Sequence, residues 1–267
     1  MLPLLRDQVK VFLAPTEIIV RHTKFSFLSK NVTLTTLRST DVVQASDWSA
    51  TLVLFEQAMR KLESVADVSV VISNAFIRYQ LIPAQIALNS YEEESSYVNF
   101  NFAEVYGDAL AKWTLSWGPG LALLPQVACA IDRELLAQLT VICKKYKCRL
   151  VSAQPYLNKL FNLLKKKLKK ETMRFLAIED GRLCAGFVSK GVWTSLRCSR
   201  FEGHWQEMLP AMIEREFLLT DMATLEDELL LCVPQKFTMN FLPSGPVRTL
   251  VVPPLYALLD NIPMNAL

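Results

Sequence analysis

Apolar residues in this chain recur with two periods, and the switching between them sets out its elements. Trp48, Leu52, Phe55, Met59 and Leu62 follow at spacings of 4, 3, 4 and 3. That is one stripe of a helix over about 48–64, with Asp47 as N-cap. Leu135, Leu139, Ile142 and Tyr146 mark a helix that Asp132 caps. Leu157, Leu160, Phe161, Leu164 and Leu168 mark another, for which Pro155 suits the first turn. Trp205, Leu209, Met212, Ile213 and Phe217 predict a helix over 203–219, where Pro210 is a kink or the sign of a late start. A further helix over 91–105 begins with Glu92, Glu93 and Glu94 and stops at Gly107. Runs rich in β-branched residues predict strands at 9–13, 17–24, 31–37, 68–72, 76–82, 112–117, 127–131, 148–153, 229–233 and 249–252.

The stretch 173–200 organises the rest. Apolar runs at 175–178, 183–188 and 192–198 are separated by Glu179-Asp180-Gly181 and Ser189-Lys190-Gly191. Asp-Gly supplies the positive φ that a tight hairpin needs, and Ser189-Lys190-Gly191 reads as the second turn. With the helix after it, this is a β-β-β-α unit, and the same order appears near the N-terminus. The alternation of strands and helices predicts an α/β fold with mixed sheets. A loop or irregular strand is expected at 235–246 and a short final helix at 254–259.

Composition narrows the classes of function. A hydrophobic content of 51% supplies a core, and a net charge of +3 is too small to imply nucleic acid or an anionic membrane. Six scattered cysteines with no C-x-x-C, and two distant histidines, argue against zinc. The cysteines read as small buried apolar residues in a reducing cytosol. The longest uncharged run, 113–131, holds Gly118, Pro119, Gly120 and Pro125, so it is rejected as a membrane span. Eight glycines are about half the usual share, and phosphate-cradling loops depend on glycine.

Several segments resemble the actin-like proteins of bacterial pilus and secretion machines, of the PilM, MshI and GspL kinds. Val68-Ser-Val-Val-Ile72 with Phe76-Ile-Arg-Tyr-Gln-Leu-Ile-Pro83 is similar to that family's strand pair before an inserted subdomain. Ala128-Cys-Ala-Ile-Asp132 resembles the return to the core. Val151-Ser-Ala-Gln-Pro-Tyr156 resembles the close of the first half, and Phe175-Leu-Ala-Ile-Glu-Asp-Gly181 the opening of the second. The resemblance implies an actin-like (ribonuclease H-like) fold of two related βββαβα halves. The first covers 1–168 with an insertion at about 76–122, and the second, shortened, covers 169–267. No membrane segment of the kind GspL and MshI relatives carry is legible, which sets the expectation nearer to PilM.

Relatives that bind ATP place a phosphate loop in each β-hairpin. Here the first, Leu13-Ala14-Pro15-Thr16, has no acid, no glycine and a proline without an N–H. The second keeps Glu179, Asp180 and Gly181, but Arg182 and Leu183 stand where small hydroxyl residues belong; Ser244-Gly245-Pro246 is what remains of the adenosine-side glycines. Glu179, Asp180 and Gly181 are either an exposed turn or a degenerate phosphate or magnesium contact. Lys165, Lys166 and Lys167, in a run reaching Lys170, are either a solvated helix end or a contact for an acidic partner or anionic membrane surface. Arg78 and Tyr79 are either ordinary strand alternation or, as the resemblance implies, part of a groove for a partner's short cytoplasmic tail.

The resulting expectation is a non-catalytic, pseudo-ATPase scaffold with no cofactor, no metal and no nucleic-acid partner. It would be cytoplasmic, peripheral at the inner membrane, and bound to a peptide of an inner-membrane assembly protein. The alternative is an actin-like ATPase or kinase that uses ATP with magnesium at a modified site around Asp180.

Overall fold

The computed structural model describes residues 6–25, 30–39, 47–62, 64–168, 171–179, 181–219, 229–233 and 247–251. The expectations for 235–246 and 254–259 lie outside the described residues. By packing, the described residues up to Ile77 and from Asp132 to Leu160 form one unit. Arg78–Ile131 and the described residues from Phe161 onward form the other. The expected insertion at 76–122 thus interrupts the first half in sequence, while its packing groups it with the second sheet.

In the first unit, β1 (Asp7–Leu13), β2 (Glu17–Phe25), β3 (Lys30–Arg38), β4 (Ala66–Ile72) and β8 (Arg149–Pro155) form a five-stranded sheet. Its order is β3-β2-β1-β4-β8. β1 runs antiparallel to β2 and parallel to β4, which runs parallel to β8. The central strands β1 and β4 alternate at their starts, where Gln8, Lys10, Asp67 and Ser69 keep contact with solvent, and turn wholly apolar and buried at 11–13 and 70–72, where both faces are covered. α1 (Ser49–Arg60) buries Leu54, Phe55 and Met59, and α3 (Arg133–Lys145) buries Leu135, Leu139 and Ile142. After β4, a short turn at Asn74–Phe76 turns Asn74 Oδ1 toward the start of α4 (Tyr156–Leu168), where it accepts the Leu157 N–H at 3.1 Å. Tyr156 packs edge-on against Phe12, with ring centroids 5.8 Å apart.

Two helix starts differ from expectation by one residue. Asp47 still accepts the Ser49 N–H at 2.8 Å, but the N-cap of α1 is Trp48. Pro155 ends β8 rather than opening α4, since α4 begins at Tyr156.

In the second unit, β5 (Ile77–Ile82), β6 (Trp113–Trp117) and β7 (Gln126–Asp132) form a sheet of order β5-β7-β6 beside α2 (Tyr91–Tyr106). Ser90 caps α2 by accepting the Glu93 N–H, and Gly107 at φ +54° ends it. Ile82, Val98, Phe102 and Ala128 bury together there.

The larger sheet of this unit contains β9 (Met173–Glu179), β10 (Arg182–Ser189), β11 (Val192–Arg200), β12 (Leu229–Val233) and β13 (Val247–Val251). Its order, β11-β10-β9-β12-β13, repeats that of the first sheet. One face carries Leu176, Ile178 and Leu183 against Trp205, Leu209 and Ile213 of α5 (Trp205–Leu219). Each such side chain contributes about 1.5–3 kcal/mol by leaving water. Pro210 lies inside α5. The other face holds Phe175, Phe161 and Trp193 in mutual ring contact. Gly186 leaves the room for Phe175, since a Cβ there would meet its ring at 2.6 Å and Trp193 at 3.0 Å.

Candidate functional site

The two hairpins that could hold phosphate are built differently. In the β1–β2 hairpin, the Ala14 N–H donates to Glu17 O at 3.0 Å, and Thr16 O accepts the Ser39 N–H at 2.9 Å. The hydroxyl of Thr51, fully buried on α1, points toward Ala14 O (3.1 Å) and Pro15 O (3.3 Å). The corner is stitched to the helix beside it. It offers a proline and occupied carbonyls where phosphate oxygens need N–H donors.

The β9–β10 hairpin brings charge together instead. Glu179 faces Arg182 across a two-residue turn, with Gly181 at φ +68° as the Asp-Gly signal predicts. Gly181 O accepts the Phe201 N–H at 3.2 Å. Glu179 and Arg182 are buried. Asp180 lies outside the described residues. On its other side Arg182 stands directly opposite Arg200 of β11.

Arg78 of β5 reaches the same neighbourhood. Burial, then Arg200 and Arg78, push the Arg182 guanidinium down; burial and then Arg200 push Arg78 down, while Tyr106 at the end of α2 opposes that shift. Burial pushes the Tyr106 phenol up, and Arg78 and Arg182 oppose it. Three guanidinium groups and a phenol from four elements of one unit are therefore near enough to influence one another's charge. An arginine fork binds carboxylate or phosphate bidentately, and an aromatic ring beside it takes an apolar side chain.

Tyr79, next to Arg78 in sequence, is half-buried as Arg78 is. Burial, joined by Cys184, Cys198, Cys129 and Glu179, pushes its phenol well up. The β5 face with Arg78 and Gln80 is not the solvent face that simple alternation suggests, because Gln80 Nε2 donates to Asn101 O of α2 at 3.2 Å.

Lys165 and Lys166 are exposed on α4, and the side chain of Lys167 lies outside the described residues. Lys165 lines a pocket of about 280 Å³ with Phe161, Glu171, Met173, Val188, Lys190 and Gly191. Neither Arg78 nor Tyr79 lines it, so the two partner-binding candidates do not share a pocket. Among the described residues, no group of three or more histidine, cysteine or acidic side chains is placed to hold a metal. No described helix is long and apolar enough to cross a membrane.

Sequence reasoning missed Arg200 and Tyr106, whose signal is register rather than motif. It also missed a buried polar cluster at the start of β1. Asp7 Oδ2 accepts from His22 Nε2 at 2.9 Å and from the Ser64 hydroxyl, and Asp7 Oδ1 accepts the Phe25 N–H at 3.0 Å. Burial alone would raise the carboxyl, but the bonds from Ser64, Phe25 and His22 outweigh it and hold Asp7 below the usual range. Both side chains bond to the carboxylate, so the serine is not activated by the histidine as a nucleophile must be. The cluster ties β1, β2 and the entry to β4 together.

No protein-family model and no curated protein matches the sequence. Solved structures match it by fold. One is a Bacteroides thetaiotaomicron protein with an actin-like ATPase fold and unknown function, with TM-score 0.57 at 10% identity over 86% of this chain and 83% of that one. A second is the PilM–PilN type IV pilus biogenesis complex, with TM-score 0.61 at 11% identity over 84% and 80%. A third is the cytoplasmic domain of EpsL, an inner-membrane component of the Vibrio cholerae type II secretion system, with TM-score 0.59 at 10% identity over 95% and 92%. The chain has the actin-like fold.

Proposed function

We propose that this actin-like protein is a non-catalytic scaffold of a type IV pilus or type II secretion-like envelope machine. In this reading it holds a short cytoplasmic peptide of an inner-membrane partner and reaches the membrane through that partner. The carrying observation is the cross-strand pairing of Arg182 with Arg200, with Arg78 and Tyr106 near enough to feel their charge. Such a mixture of planar cations and an aromatic ring suits a peptide's carboxylates and apolar side chains. The stitched β1–β2 corner favours a scaffold over ATP turnover, because Pro15 has no N–H and the Ala14 N–H is spent on Glu17 O, which leaves this phosphate grip short of donors. Among proteins of similar fold, one is a complex of PilM with PilN and another is the cytoplasmic domain of an inner-membrane component.

The test has two arms. The full chain should capture a membrane protein from a detergent extract of the source's inner membranes, and Arg78→Glu with Arg200→Glu should cut that capture at least tenfold. In calorimetry, magnesium-ATP should give no saturable heat. The ATPase or kinase alternative rests on the hairpin that keeps Glu179 and Gly181. It wins if magnesium-ATP binds saturably, Asp180→Ala abolishes the binding, and charge reversal leaves capture unchanged.

A further inference from the structure

Cys184 on β10 and Cys198 on β11 are direct cross-strand partners, and their Sγ atoms lie 2.6 Å apart. The two sulfurs are thus in direct contact across the strand pair. The two thiols differ in access: Cys184 is fully buried and Cys198 is exposed, which corrects the expectation that all six cysteines are buried packing residues. Alternation puts them on the same sheet face as Arg182 and Arg200, one side-chain row away. One thiol open to solvent with a second waiting in contact behind it is the arrangement of a redox-responsive pair.

We propose that Cys184 and Cys198 are a modification site: a reversible dithiol that closes into a cross-strand disulfide under disulfide stress and ties β11 to β10 beside the arginine cluster. The oxidant class is a small molecular disulfide, such as oxidised glutathione. The Cys198 thiolate attacks one glutathione sulfur, forming a mixed disulfide and releasing one glutathione thiolate. Cys184 then gives up its proton and attacks the Cys198 sulfur. The Cys184–Cys198 bond forms, the mixed disulfide breaks, and the second glutathione leaves with that proton. Two protein thiols are oxidised, and one glutathione disulfide is reduced to two thiols. Arg182 favours the Cys184 thiolate, against the burial that disfavours it. The inference is independent of any peptide partner.

The full-length folded chain is equilibrated in glutathione buffers of rising oxidised fraction, quenched in acid, alkylated in denaturant and mapped by mass spectrometry. Two of the six thiols should disappear together, with one linked peptide joining residues 184 and 198. Cys184→Ala should instead stop at a single glutathione adduct on Cys198. Cys198→Ser, at an exposed position, should keep the fold and lose no thiols under the same buffers. The proposal is overturned if wild type accumulates the Cys198 adduct with Cys184 still free, if both thiols stay reduced throughout, or if the linkage joins other cysteines, of which Cys143 and Cys148 are the nearest competing pair in sequence.

Discussion

The two five-stranded sheets share one strand order but place their buried acid at opposite ends of the first strand. In the first sheet Asp7 begins β1, six residues before the hairpin that Thr51 stitches shut. In the second, Glu179 ends β9 and Arg182 begins β10, so a buried acid and a buried arginine flank the hairpin itself, while Arg174 is buried near the start of β9. One topology tolerates both because apolar strands and helix cover set the strand order, while ionisable groups need only local partners. Where those partners sit decides whether a hairpin is stitched to its neighbouring helix or flanked by buried charge.

Breaking the first sheet's lock should have the largest effect. Asp7→Ala leaves His22, Ser64 and the Phe25 N–H without their shared acceptor, and the Asp7 side chain is only 5% exposed. The expected loss is about 3 kcal/mol in urea unfolding. The pH dependence sharpens this. Because the folded Asp7 carboxyl is held below its ordinary value, its stabilisation is complete above about pH 4 and is lost as pH falls through the folded value. Below about pH 4, wild type should therefore lose stability more steeply than Asp7→Asn; parallel curves would remove the buried lock from the comparison.

Gly186→Ala addresses the second sheet. The rung that pairs Phe175 with Gly186 corresponds, counted from the turn, to Val9 with His22 in the first sheet, where a full side chain fits. An added methyl against Phe175 and Trp193 should cost about 2 kcal/mol, read as a lower urea midpoint at constant slope. A neutral result would mean the aromatic face is looser than its contacts indicate. The smallest effect belongs to the stitched corner. Thr51→Val removes one buried hydroxyl shared by two carbonyls and should cost about 1 kcal/mol. No loss at all would leave the corner open to ligand donors and weaken the contrast with the second hairpin.

The candidate site was half legible. Arg78 and Glu179 carry signals in the sequence, from strand alternation and from the Asp-Gly turn. Arg200 and Cys198 carry none, because their partners depend on a bulge. Counted without interruption from the Ser189–Val192 pair, Arg182 would face Ser199 and Cys184 would face Arg197. The register shift between Phe187 and Val188 moves them opposite Arg200 and Cys198 instead. Asp7 was invisible for a related reason: a single acid at a strand start looks like an exposed end until His22 and Ser64 are folded onto it.

The sequence by itself determined the elements, the two hairpins and the repeated strand-and-helix order, since apolar period and turn chemistry are local properties of the chain. Tertiary structure alone decided which charges meet, because pairing across strands depends on register, and one extra residue in β11 changes every partner beyond it.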